Sequence, residues 1–254
     1  MNMKVGILAA LAALGAAGQS PSTAREIMQE VQRRSFSKSF RYDGHITVRK
    51  ASGVTDRKTW RYERFGPPGD SKVMLRFLDP AEIRGVALLV WNSPGKAADM
   101  WLYTPSLERT RRIARQDRAS RFAGTGFSFE DLEESDIAQW DYSELQDATE
   151  NGEACWRITG RRVSDRRSLR DKNWLWIGKQ KMTALRIEKF RGDRLAKRLS
   201  MSAFELKQEI WTAMSVEVAD LSDRSVTTLQ LTDARYDVRM SKSGFTLEAL
   251  RGPW

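Results

Sequence analysis

A chain of 254 residues, 41% hydrophobic and 30% charged, has the length and composition of a globular protein with a sizeable core, and one domain is the default at this size. A single cysteine excludes an internal disulfide, and a single histidine leaves little of the usual stock of bases. The formal net charge of +10 would suit nucleic acid, but the N-terminus argues against that partner.

The chain opens as an export signal. Met1-Asn-Met-Lys4 is a short positive segment, residues 5–14 are an apolar run, and Gly15-Ala-Ala-Gly18 supplies small residues for cleavage. The run is too short to span a bilayer, and no other stretch approaches that length, so no stable membrane span is expected. Residues 1–18 are therefore read as a signal peptide and 19–254 as one mature domain. No cysteine follows the apolar run to take a lipid anchor, which places the mature chain in the periplasm. Next comes a helix start, with Thr23 as N-cap and Glu26 as its capping-box partner. Ile27, Met28 and Val31 then share one face, suited to covering a sheet or forming part of a lid.

From about Phe40 the apolar period changes to two. Residues 42–49, 59–65 and 72–78 read as strands, with the Gly-Pro-Pro-Gly-Asp turn of residues 66–70 between the last two. Strand-like runs follow at 86–91, 100–103, 156–161, 173–177, 183–190, 195–204 and 210–218, which indicates a mainly β, antiparallel fold with few helices. A one-sided sheet should alternate apolar with polar residues. Residues 73–78 and 86–91 are apolar on both faces, whereas Leu185 and Ile187 stand against Arg186 and Glu188. The middle strands thus face apolar surroundings on both sides, and periodicity leaves a filled two-layer core and a cavity both open. Nine tryptophans incline the reading toward a cavity.

The catalytic inventory is close to empty. His45 lies in a strand without positioned partners, and Cys155 has no neighbouring histidine, so a structural histidine and a buried inert thiol are the readings. No zincin, nucleophile-elbow, P-loop or paired-cysteine pattern occurs, so no metal or cofactor is expected. Glu130-Asp131 and Glu133-Glu134 are adjacent pairs whose side chains diverge, and solvated acids at a helix start are their ordinary reading.

Arginine is concentrated in two blocks. Arg161, Arg162, Arg166, Arg167 and Arg170 are interleaved with Asp165 and Asp171, as on a solvated surface. Arg109, Arg111, Arg112 and Arg121 have fewer acids among them, and their planar forks suit an anionic headgroup or an acidic partner surface.

The run Trp101-x-Tyr103-x-Pro105-x-Leu107-x-Arg109-x-Arg111-Arg112-Ile113, then Arg118, Phe122-x-Gly124 and Phe127-Ser-Phe-Glu-Asp131, resembles the outer-membrane lipoprotein-sorting protein family, relatives of the periplasmic carrier LolA. Asp79-Pro80 and Ile83-Arg-Gly85 fit the same pattern. Thr125-Gly126 departs from it, standing where Ser-Asp is expected. The resemblance implies a curved antiparallel sheet, an incomplete β-barrel, with helices lidding a hydrophobic cavity. It implies a non-enzymatic carrier of lipid or lipoprotein acyl chains toward the outer membrane, in partnership with an RND-type inner-membrane exporter. The implied lipid-binding residues are Trp60, Tyr62, Leu75, Phe77, Leu88, Val90, Trp101, Tyr103, Phe122 and Phe127. A periplasmic scaffold or transporter accessory without cargo is the alternative. N-terminal sequencing of the exported protein should begin near Gln19, and an intact Met1 on a cytoplasmic product would contradict the signal assignment.

Overall fold

The computed structural model describes residues 21–134, 136–163 and 172–252. The signal segment expected over residues 1–18 and the arginines at 166, 167 and 170 lie outside them. The expected helix forms as α1, Ala24–Arg34: the Thr23 hydroxyl accepts from the Glu26 N–H, and Glu26 reaches back to the Thr23 N–H. Its apolar face sets Ile27, with Met28 and Val31 beside it, against Ile158, Ile177 and Met182.

The strands are β1 Ser39–Arg49, β2 Thr55–Phe65, β3 Lys72–Asp79, β4 Ala87–Ser93, β5 Lys96–Thr104 and β6 Arg109–Arg112. A second run comprises β7 Trp140–Glu150, β8 Glu153–Arg162, β9 Lys172–Gly178, β10 Ala184–Arg191, β11 Arg194–Lys207, β12 Ile210–Asp220 and β13 Ser225–Tyr236. They form one antiparallel sheet in the order β6-β5-β4-β3-β2-β1-β13-β12-β11-β10-β9-β8-β7. The sheet curves but does not close, because β6 and β7 remain its two edges although they are consecutive in the chain. The segment joining them, residues 113–139, crosses the inner face as a strap. Phe122, Phe127 and Phe129 of the strap are buried there, with ring centroids of Phe127 and Trp60 5.7 Å apart and of Phe122 and Phe77 5.4 Å apart.

This strap explains why β3 and β4 are apolar on both faces. Inward, Val73, Leu75, Phe77, Leu88 and Val90 pack under the strap. Outward, Met74, Ala87 and Leu89 pack under the C-terminal segment, where Phe245 and Leu250 (in the short helix α2, Leu247–Arg251) close a second core. Arg76 holds that segment down by donating to the carbonyls of Ala249 and Leu250, both at 3.1 Å, and the Trp91 indole N–H donates to the Phe245 carbonyl. Of the two arrangements the pattern left open, this part of the sheet is filled and buried between two layers.

Two face assignments need correction. Trp101 and Tyr103 do not join Leu88 and Val90, because the register pairs Leu88 with Leu102 and Val90 with Met100, turning the odd-numbered residues of β5 outward to Leu89 and Ala87. Leu185 does not share a face with Ile187: an irregularity between Ala184 and Arg186 sends Leu185 outward to Cys155 and Trp176, while Ile187 faces inward.

Gly44 is the position where the inner core has no room. It pairs with Trp60 across β1 and β2, and a Cβ there would sit 2.2 Å from the indole Nε1 and 2.7 Å from Leu229 Cδ1. Gly44→Ala should therefore cost about 1–3 kcal/mol of overpacking, read as a lower urea midpoint. An unchanged midpoint would show that the indole can move aside.

Candidate functional site

The strap fills only half of the inner face. Over the other half, between α1, residues 130–133 and strands β7 to β11, a cavity of about 630 Å³ remains. That is within the range of roughly 300–1,000 Å³ typical of small-molecule sites. Strand alternation supplies its floor: Tyr142, Leu175, Ile177, Ala184, Ile187 and Leu199 point inward, and Met28 and Val31 of α1 form the roof. Gly160 keeps the floor low, since a Cβ there would come 3.2 Å from Leu175 and 3.4 Å from both Trp140 and Tyr142. The Arg25 guanidinium ties the helix to the sheet edge by donating to the Trp140 carbonyl at 2.9 Å.

One wall is ionic. Asp131, with a side chain only 1% exposed, accepts from Lys197 at 2.6 Å, from Lys189, and from the Ser128 hydroxyl and N–H. Burial pushes its carboxyl up, but the two lysines outweigh that and hold it well below the usual carboxylate range. Glu133 accepts from Arg162 at 3.0 Å and the Ala98 N–H at 3.0 Å, with Arg118 at 3.5 Å. Glu134 forms an ion pair with Arg64 at 3.0 Å and accepts from Ser71 at 2.7 Å; burial dominates there and raises its carboxyl. Burial, with the Glu134 charge next, lifts the Tyr62 phenol well above its ordinary value. The expectation of solvated acids at residues 131, 133 and 134 is thus overturned. Ser128 and Asp131 form a capping box on a short 3-10 turn, Phe129–Leu132, and the flanking phenylalanines carry the acids inward. The Ser-x-x-Asp spacing between phenylalanines was the signal available in the sequence.

The residues expected to hold lipid lie elsewhere. Trp60, Leu75, Phe77, Leu88, Val90, Phe122 and Phe127 belong to the filled core, Tyr62 packs at its border, and Trp101 and Tyr103 are on the outer face. None of these lines the cavity. The arginines are dispersed as well. Arg121 gives its guanidinium to Asp220 at 2.7 Å and Asp223 at 2.5 Å, so it braces the strap against the β12–β13 turn. Arg112 pairs with Asp99, Arg111 lies 3.5 Å from Asp117, and Arg109 is exposed. Arg161 and Arg162 of the second block do reach the cavity. At the departure from the expected Ser-Asp pattern, the Gly126 N–H donates to the Thr227 hydroxyl, and a Cβ at 126 would come within 2.9 Å of it, so an aspartate would not fit here. Cys155 is buried, which raises its thiol, and His45 is exposed.

The curved, unclosed antiparallel sheet recurs in solved structures of other proteins. The fold is shared with a LolA superfamily protein from Nitrosomonas europaea at a TM-score of 0.71 and 18% identity, over 90% of this chain and 100% of that one. It is also shared with a DUF1329 family protein from Desulfovibrio piger (TM-score 0.84, 23% identity, 89% and 97% of the two chains). A domain designated outer membrane lipoprotein-sorting, from Vibrio parahaemolyticus, has a TM-score of 0.84 and 24% identity over 90% of this chain and 98% of that one. No curated protein matches the chain. The chain belongs to the family whose model, described as that of an uncharacterized protein, matches residues 69–252.

Asp131 generates a prediction with a defined sign. Its folded pKa is depressed, so its stabilisation is present above the unfolded value of about 3.9 and is lost as pH falls through the folded one. Asp131→Asn should cost about 3 kcal/mol at neutral pH, the low end for a broken buried pair because both lysines keep some solvent. In chemical denaturation the gap between variant and wild type should narrow as pH falls below about 4. A gap independent of pH would mean that the carboxylate charge is not what the lysines recognise.

Proposed function

We propose that the protein is a periplasmic carrier that takes acyl chains of lipids or lipoproteins into the cavity beneath α1, by binding and without breaking bonds. The observation that supports it is the apolar hollow of about 630 Å³ floored by Leu175, Ile177, Ile187 and Leu199. Each methylene sheltered there contributes about 0.8 kcal/mol, so a chain is held by area and not by a fixed set of polar bonds. Met28 in the roof adapts to irregular chains, which suits a protein that must also release its cargo. The charged wall makes no competing demand, because Asp131, Glu133 and Glu130 already have Lys189, Arg162 and Arg191 as partners. The lipoprotein-sorting designation of the Vibrio relative agrees with this reading, and an RND-type exporter at the inner membrane would be the source of the cargo.

A scaffold or transporter accessory without cargo is the second reading, favoured by the solid packing of Leu75, Phe77, Leu88 and Val90 in the other half of the bowl. Two tryptophan substitutions separate them. Ile187→Trp should fill the hollow, lower the affinity for a fluorescent fatty acid on the order of 10-fold, equal to about 1.4 kcal/mol, and leave melting nearly unchanged. Leu88→Trp, in the filled half, should cost about 1–3 kcal/mol of stability. A wild type that takes up no fatty acid, with Ile187→Trp as destabilised as Leu88→Trp, would leave the scaffold reading in place.

A further inference from the structure

Four acids line the hollow, and each of them faces a cation. Glu130 has Arg191, Asp131 has Lys189 and Lys197, Glu133 has Arg162 and Arg118, and Asp141 stands opposite Arg161 in the β7–β8 register. Two of these carboxylates thus meet two cations apiece. Arg25, also on the lining, has no acidic partner among the described residues; its guanidinium holds the Trp140 carbonyl and lies near the Tyr142 ring. The acids are satisfied and the cations are not, so the lining carries a surplus of positive charge.

Part of that surplus converges on Trp140, which opens β7. The Arg25 guanidinium donates to its carbonyl at 2.9 Å, and the Arg162 guanidinium lies 5.4 Å from the centre of its ring. Among the described residues each of the two gives Nη2 to a protein oxygen, Arg25 to Trp140 and Arg162 to Glu133. A guanidinium carries five N–H donors in a fork that matches a carboxylate or a phosphate, so both have donors to spare. The Trp140 indole N–H is itself shielded from solvent and meets no acceptor. Buried donors are normally paired, and an unpaired one requires a reason. Of the buried side-chain donors left without an acceptor among the described residues, the Trp140 indole is the one whose residue lines the hollow.

We infer that the polar end of the cargo is an oxyanion, a carboxylate or a phosphate, held beside Trp140 by Arg25 and Arg162 while the chain lies over Leu175, Ile177, Ile187 and Leu199. An anion entering an apolar hollow is tolerated only where cations and donors meet it, and this is the part of the lining that supplies both without taking them from an acid. Glu133 keeps Arg118 and the Ala98 N–H when Arg162 turns to a ligand. The inference rests on the carrier reading and narrows its cargo: acyl groups joined to a protein through ester or amide bonds have no charge at their head, whereas fatty acids and phosphate-headed lipids do.

The test is calorimetric titration with three amphiphiles that share one saturated chain: myristate, myristoyl lysophosphatidic acid and the neutral glyceride monomyristin. Wild type is expected to bind at least one of the anions on the order of 10-fold more tightly than monomyristin, as charge-assisted hydrogen bonds would give. Whichever anion binds more tightly identifies the head, and the preference should shrink as salt is added. Arg162→Gln should abolish most of the preference and leave monomyristin binding unchanged. Arg25→Gln, at an exposed position on α1, should weaken anion binding in the same direction without touching the buried wall, so a folding defect in the first variant still leaves a reading. Trp140→Phe keeps a ring and removes the N–H, and should cost about threefold in anion affinity alone. Equal binding of the three amphiphiles by wild type, or Arg25→Gln and Arg162→Gln proteins that keep the preference, would overturn this inference and leave the carrier reading standing. Wild type that binds none of the three would overturn both.

Discussion

The burial of three carboxylates on one short stretch of strap is the interaction on which the arrangement depends. Asp131, Glu133 and Glu134 lie within four residues, yet their cationic partners come from β10 and β11, from β8, and from β2. A charge taken out of water is tolerated only where a partner meets it, so each pair fixes the strap at one place over the sheet. Such pairs add less to stability than to uniqueness of position, and position is what the fold needs here. The strap runs from one free edge of the sheet to the other, and residues 129–134 form the wall between a filled half and an open half.

The class of fold was legible because its signals are local. The capping box of Thr23 and Glu26, the period of two after Phe40 and the turn residues at 66–70 each report a neighbourhood of a few residues, and the strands formed accordingly. Which face of each strand looks inward is not local. Trp101 and Tyr103 carry the same alternation as Leu88 and Val90, and only the register across the β4–β5 turn decides that they point the other way. The buried acids were hidden for a related reason: a carboxylate is read as solvated unless its cation is known, and Arg162, Lys189 and Lys197 are 29, 58 and 66 residues from the acids they meet. The apolar duplicity of β3 and β4 was visible, but its cause, a strap inside and the C-terminal segment outside, required tertiary structure.

The division of the bowl also settles what the aromatic residues do. Trp60, Phe77, Phe122 and Phe127 pack against one another as tilted ring pairs, so they support the strap. The hollow is lined by aliphatic side chains of β9, β10 and β11 and the methionine of α1, together with Trp140, Tyr142 and Phe190. Aliphatic walls suit flexible methylene chains, since dispersion contacts of nearly equal strength are available wherever the chain lies. An apolar floor beside a wall of paired charges thus suits the hollow to apolar contact.

The central claim is that cargo occupies the half of the bowl the strap leaves open, and photo-crosslinking with a diazirine fatty acid tests it most directly. Peptide mapping of the labelled protein is expected to place the adducts on α1 and on β9 to β11, around Met28, Leu175, Ile187 and Leu199. Adducts on β3 to β5, around Leu75 and Leu88, or a protein that acquires no adduct, would contradict it.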